Sequence, residues 1–410
     1  MVTLQTADKA LKDYYLGVIK EQLDVGTNPF LAMIEKTSED VYGKEIKKIV
    51  THGINGGIAS GSESGSLPAA MGNSYAEFAL PLKNLYGSIE ISDKALRASE
   101  TGSATAVSLL NAEMNGLIKA SKDNFSRMLF GDGTGYLCKI VSISDDKLSA
   151  TVDDVKNITE GMLVDVYLGD SIDTRYSANR ITDVDKENSK IYFTKAMKDT
   201  PKNSALYVSG SKNQELTGLG AIFSDSATSL YGLEKSGNRW LNPNVKTVAS
   251  LSYEDVAEML DTVEEKGGKG ADVIVCSWKV RRILQKILVK AGVTPAACET
   301  EGGYKSIAFN GIPVIVDKHC PEGHMYFLNT EDFKICQLCD WQWLDEGDGR
   351  ILRKIPGKAA YSATLVKYAD LLCEKPCGQG LIKGITEAYD EPVLVETVTK
   401  ANDSDSGSGS

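Results

Sequence analysis

THGINGGIASGSESGSLPAAMG, residues 51–72, holds six glycines and four serines and few apolar groups on which to fold. Fixing backbone costs about 1–2 kcal/mol per residue, and glycine gives up the most freedom. Such a stretch does not set its own shape. Before it, Tyr42 to Val50, containing EIKKIV, reads as a strand, and after it the run YAEFALPLKNLYGSIEIS from Tyr75 reads as the returning partner. A long two-stranded excursion is marginal alone in water. The simplest source of order for it is the surface of another molecule.

On the amino-terminal side, Thr6 caps a predicted helix with Leu11, Tyr14, Tyr15, Val18 and Ile19 on one stripe, ending near Gly26. Asn28-Pro29 breaks it, because proline disfavours α conformation in the residue before it. On the other side, Val107, Leu110, Met114, Leu117, Ile118, Ser121, Phe125 and Met128 step by three or four residues. They predict a helix from Ala104 to Phe130, roughly 40 Å long. GDGTG, Gly131 to Gly135, ends it with residues tolerant of positive φ.

From Tyr136 to Ser211 the pattern changes to alternating β: CKIVSI, KLSATV, MLVDVYL, RITDVD, KIYFT and ALYVSG. This predicts a small all-β barrel or sandwich of five or six strands, inserted into a mixed chain. Ser252 and Asp255 then make a capping box for a helix carrying Val256, Met259, Leu260 and Val263. DVIVC, Asp272 to Cys276, is a short buried strand, and Ser277 starts a helix with Val280, Ile283, Leu284, Ile287 and Leu288 on one face. Asn310-Gly311 signals a hairpin. It leads into PVIVD, MYFLN, FKICQL, WQWL and GRILRKI, and AYSATLVKYADLLCEKP is a last long strand before the disordered polar tail DSDSGSGS.

The 410 residues are 42% hydrophobic and 25% charged, which is ordinary globular usage with room for two or three domains. A net charge of −11 argues against a broad cationic surface for nucleic acid. No run approaches the roughly 18 apolar residues of a membrane span, and MVTLQTADKALKDYY lacks the apolar core of a secretory signal. The expectation is a cytoplasmic protein without membrane contact. Eight cysteines are too sparse for a disulfide framework and read as reduced, core-filling thiols.

Arm, hairpin excursion, long helix, then an α/β region ending in strands is an order that resembles the major capsid proteins of tailed phages, the Hong Kong 97-type α+β fold. The residues that carry it are NPFLAMIE at Asn28 to Glu35, the YAEFALPLKNLYGSIEIS return and FGDGTG after the long helix. GIPVIVDKHCPEGHMYFLN from Gly311 to Asn329 and the AYSATLVKYADLLCEKP ending complete it. The resemblance implies a capsid subunit that self-assembles as hexamers and pentamers into an icosahedral shell around double-stranded DNA. It implies no enzyme activity and no cofactor. Expected partners are further copies of the chain, a scaffolding protein, a portal, a decoration protein and the packaged DNA, held non-specifically; the expected place is the virion capsid, assembled in the host cytoplasm. An encapsulin-like shell enclosing a cargo enzyme is the alternative within the same fold.

The implied division is 1–40, amino-terminal arm; 41–91, extended β-hairpin loop; 92–135, spine helix of the peripheral domain; 136–211, inserted β-barrel domain; 212–390, axial and peripheral α+β domain; and 391–410, flexible tail. In the loop, Gly53, Asn55, Gly57, Ser60, Glu63, Leu67 and Met71 are the expected subunit interface. Two departures from relatives stand out. Only about 27 residues precede Asn28, so scaffolding falls to a separate protein, and no lysine lies between Lys48 and Lys83 for a loop crosslink.

Sharper chemistry finds little support. Cys336 and Cys339 have zinc-ligand spacing, with His319, Cys320, His324, Cys373 and Cys377 as conceivable partners. Yet FKICQLCDW has a strand's pattern, and cysteines three apart in a strand point to opposite faces. FGDGTG and GGKG lack the full phosphate-loop pattern, and the three histidines have no nucleophile context. Arg281, Arg282, Lys286 and Lys290 share one helix and are candidates for inner-surface DNA contact, against the plainer reading of a solvated face.

Overall fold

Asn28-Pro29, read from the sequence as a helix breaker, starts a helix. The Asn28 side chain accepts from Leu31 N at 3.1 Å and Pro29 takes the first position of α1, Pro29–Met33. This is a computed structural model, and it describes residues 28–65, 67–94, 104–169, 171–172, 176–197, 203–292, 297–299, 305–344 and 351–389. The helix expected over residues 6–26 and the tail expected at 391–410 lie outside them.

The strand Glu45–His52 pairs antiparallel with Ser74–Pro81, from Glu45 opposite Pro81 to His52 opposite Ser74. The return run is not one strand. It breaks at Leu82, whose N–H makes the last bond to the first hairpin strand, donating to Lys44 O at 3.0 Å. Lys83–Ser92 then joins a different sheet, paired antiparallel with Ala360–Cys373 from Lys83 opposite Ala369 to Ser92 opposite Ala360. FKICQL and WQWL are likewise one strand, Phe333–Trp343, with register shifts on both sides of Cys339. Of GRILRKI only Arg353–Lys354 is strand.

The long helix α2, Ala104–Phe130, lies across that sheet. Met114, Ile118, Phe125, Met128 and Leu129 are buried in the same core as Leu85, Ile335, Trp341 and Leu365. Helix and sheet approach closely at Gly87, where a Cβ would fall 2.9 Å from Leu117 Cδ1 and Ser121 Oγ.

Residues 136–208 form a sheet closed on itself. Tyr136–Ile143 sits between Ser149–Val152 and Ala205–Val208, and the pairing of Asn179–Asp185 with both Lys190–Phe193 and Leu163–Leu168 completes the ring. Ile140, Val164, Val166, Ile181, Ile191 and Leu206 fill its separate core. The chain leaves and returns at one neck, where Asn213 N donates to Thr134 O at 2.8 Å. Beyond it α3, Leu219–Ile222, abuts the end of α2.

A seven-stranded sheet follows in the order Asn244–Thr247, Gly380–Lys383, Met325–Leu328, Val273–Cys276, Ile312–Val316, Lys305–Phe309, Ala297–Glu299. The Asn310-Gly311 turn joins two of its strands with φ of 49° and 84°, as that dipeptide requires. Helix α4, Tyr253–Gly267, has the Ser252–Asp255 capping box, and α5, Trp278–Lys290, is capped by Ser277. Both cover one face of this sheet, sharing a core with Ile274, Cys276 and Phe327. Val273 and Val275, on the other face, join the core under α2.

Candidate functional site

The hairpin is clamped at its base. His52 stacks on Trp240, centroids 4.8 Å apart and planes 8° from parallel, and Phe78 packs on Trp240 and Tyr231. Ala79 N donates to Tyr231 O at 3.0 Å. Beyond His52 the support stops. Gly53 turns the chain at φ 72°, and of the described loop residues 53–73 all are exposed except half-buried Gly57.

Of the expected interface residues, Gly53, Asn55, Ser60, Glu63, Leu67 and Met71 are therefore exposed and Gly57 nearly so. The hydrogen bonds inside the loop are local: Asn55 Oδ1 accepts from Gly57 N at 2.9 Å, and Ser62 O from Gly65 N at 2.9 Å. The loop also presents four large apolar side chains to solvent, Ile54 (91% exposed), Ile58 (85%), Leu67 (90%) and Met71 (62%). Ile54 and Ile58 escaped the sequence reading, which weighed the glycines and serines. The signal was their isolation among polar residues. Covering each such side chain is worth about 1.5–3 kcal/mol, a strong drive toward a partner surface.

The α5 cations do not all share one environment. Arg281 lies over the Trp278 ring at 4.8 Å and is half-buried, whereas Arg282, Lys286 and Lys290 stand exposed at four-residue spacing. Arg281 differs because adjacent helical residues point about 100° apart.

Cys336 is buried and Cys339 half-buried, with a register shift between them. Burial pushes the Cys336 and Cys276 thiols up to about 12, so they stay protonated and poor ligands or nucleophiles. His319 and His324 are engaged with Asn157 and with Glu322 O. Among the described residues no three His, Cys, Asp or Glu side chains converge as a metal site.

The sequence matches no protein-family model and no curated protein. Solved structures do resemble the fold. Against the capsid asymmetric unit of cyanophage A-1(L) the TM-score is 0.53 at 12% identity, over 88% of this chain and 93% of that one. The holo-encapsulin complex of Synechococcus elongatus gives 0.48 at 10% identity, over 90% and 92%. The capsid of a native GTA particle gives 0.45 at 11%, over 88% and 90%. The likeness to the cyanophage structure shows the fold, which is the Hong Kong 97-type α+β fold expected from the sequence.

Proposed function

We propose that this chain is the major capsid protein of a tailed phage, a structural subunit and not a catalyst. It assembles in the host cytoplasm as hexamers and pentamers into an icosahedral shell around double-stranded DNA, the DNA being held non-specifically through its phosphates. The observation that carries this reading is the hairpin loop. Its stem is fixed by stacked aromatic rings, yet the described distal residues between 53 and 73, half-buried Gly57 apart, are laid out in solvent with four bare apolar side chains. Obligate assemblies bury about 2,000–5,000 Å² at such contacts, enough to order a segment that its own subunit leaves uncovered.

The loop residues Gly53, Asn55, Gly57, Ser60, Glu63, Leu67 and Met71 are then the subunit interface, lying over an adjacent copy. Residues 1–40 serve as the arm, 41–91 as the extended loop, 92–135 as the spine of the peripheral domain, 136–211 as an inserted barrel, 212–390 as the axial and peripheral domain and 391–410 as the tail. A separate scaffolding protein and a portal complete assembly, with a decoration protein as a further partner. Negative-stain microscopy of the purified full-length chain tests the reading. Large closed particles are expected, with DNA when made in phage-infected cells; small particles enclosing a foreign enzyme, or a stable monomer, would overturn it.

A further inference from the structure

Helices α4 and α5 cover the same face of the same sheet and carry opposite charge. Helix α5 has five cations and no acid in WKVRRILQKILVK; α4 has six acids and one cation in YEDVAEMLDTVEEKG. On the exposed side of α4 stand Glu254, Glu258, Asp261 and Glu265, and on that of α5 Lys279, Arg282, Lys286 and Lys290. Each stripe runs over eleven residue steps, 254 to 265 and 279 to 290, or about 16 Å along its helix.

Neither stripe is explained by the subunit itself. Like charges four residues apart destabilise a helix. The helix dipole favours Glu254 in the first turn of α4 and Lys290 in the last turn of α5, but it opposes Glu265 at the end of α4 and Lys279 at the start of α5. Of the eight, Glu258 is paired within the chain, with Lys246 at 2.6 Å, whereas Lys279, Arg282, Lys286, Glu254, Asp261 and Glu265 have no oppositely charged side chain within reach among the described residues. The cations are flanked by Trp278, 50% exposed, and Val289, 67% exposed. Tryptophan and arginine on one face are the composition of an interface centre.

We infer that the acidic stripe of α4 on one copy docks against the cationic stripe of α5 on a neighbouring copy, which rests on the shell reading above. Packaged DNA would account for the cations alone. It would leave the matching acids unexplained, and they would repel it, because Glu254 and Lys290 line one cleft between the two helices. A second copy accounts for both stripes and for their equal length. The contact is head-to-tail in chemistry, acid to base, as a ring of identical subunits requires.

Charge exchange in the full-length chain tests this, read by sedimentation and microscopy, with circular dichroism to confirm folding and duplex-DNA binding by the unassembled chain measured alongside. Arg282→Glu with Lys286→Glu, and Asp261→Lys with Glu265→Lys, should each stay folded and lose oligomer by roughly tenfold or more, since like charges then face each other. Mixing the two variants, each inert alone, should restore oligomers, as should combining all four changes in one chain. Normal assembly of both variants overturns the inference. So does a failure of mixing to restore it, or an α5 variant that assembles normally but loses DNA. Wild-type rings that depend on these charges but never close would leave the pairing standing and sink the shell reading; a wild-type monomer at every salt concentration sinks both.

Discussion

Arg127, near the end of α2, forms a buried ion pair with Glu215, 88 residues further along the chain, and Asn124 Oδ1 accepts two more of its hydrogen bonds, at 2.9 and 3.1 Å. The pair closes the neck of the β-barrel against the long helix, where Glu215 N also donates to Gly133 O at 3.3 Å. Removing one partner strands the other charge in the core. Glu215→Ala should therefore cost about 3–5 kcal/mol, while Arg127→Met with Glu215→Leu should come within about 1 kcal/mol of wild type or exceed it. Urea unfolding of the unassembled subunit compares the two.

Gly218 packs where only a hydrogen fits. A Cβ there would lie 2.4 Å from Met128 O, 2.6 Å from Gly131 O and 2.7 Å from Leu129 O, all backbone atoms that cannot swing aside. Gly218→Ala should destabilise by about 1–3 kcal/mol as overpacking does. Gly61→Ala, with nothing near its Cβ position, should change stability by less than about 0.5 kcal/mol. The difference between the two midpoints in one denaturant series measures the effect.

Two carboxylates give stability opposite slopes with pH. His319 and Lys318 hold Asp123 down to about 2, His319 Nε2 lying 3.4 Å away. Its contribution is complete above the unfolded value near 3.8 and is lost as pH falls toward 2. Burial raises Asp370 to about 6, although Thr217 N and Oγ donate to it at 2.7 and 2.9 Å. Its contribution is present below the unfolded value and is lost as pH rises through 6. Asp370→Asn should thus gain on wild type between pH 4 and pH 7, by an amount on the order of 3 kcal/mol. Asp123→Asn should flatten the acid limb below pH 4. Chemical denaturation of each variant across that range decides both, and a parallel shift at all pH values would contradict them.

What the sequence revealed followed from periodicity. The 3.6-residue stripe of α2, the Ser252–Asp255 cap and the Asn310-Gly311 turn are local signals, and each element stands where its signal lies. The break at Leu82 leaves only a one-residue slip of the apolar alternation, from Phe78, Leu80 and Leu82 to Leu85, and that slip does not say that Lys83 changes sheets; the long-range pairing with Ala369 decides it. The long strand across Cys339 was hidden in the opposite way, since its register shifts interrupt the alternation without ending the strand. In the loop, composition pointed to the segment that stands in solvent, while the exposure of its four large apolar side chains is reported only by three dimensions.

Those side chains give the most direct test of the loop. Ile54 and Ile58 lie on the distal segment, 91% and 85% exposed. Ile54→Asp with Ile58→Asp should therefore leave the unassembled subunit's melting temperature unchanged, since no buried surface is lost. Assembly should suffer instead, because each aspartate would have to be desolvated at the contact with the next copy, costing several kcal/mol per charge. Ile58→Leu, equal in volume and polarity, should assemble normally. Deleting Gly53 to Met71 should reproduce the aspartate phenotype, a soluble folded subunit that closes no shells. Melting curves and particle counts on the same preparations separate the two effects. A variant that melts early would mean the loop supports its own subunit, and one that melts and assembles as wild type would remove the loop from the interface.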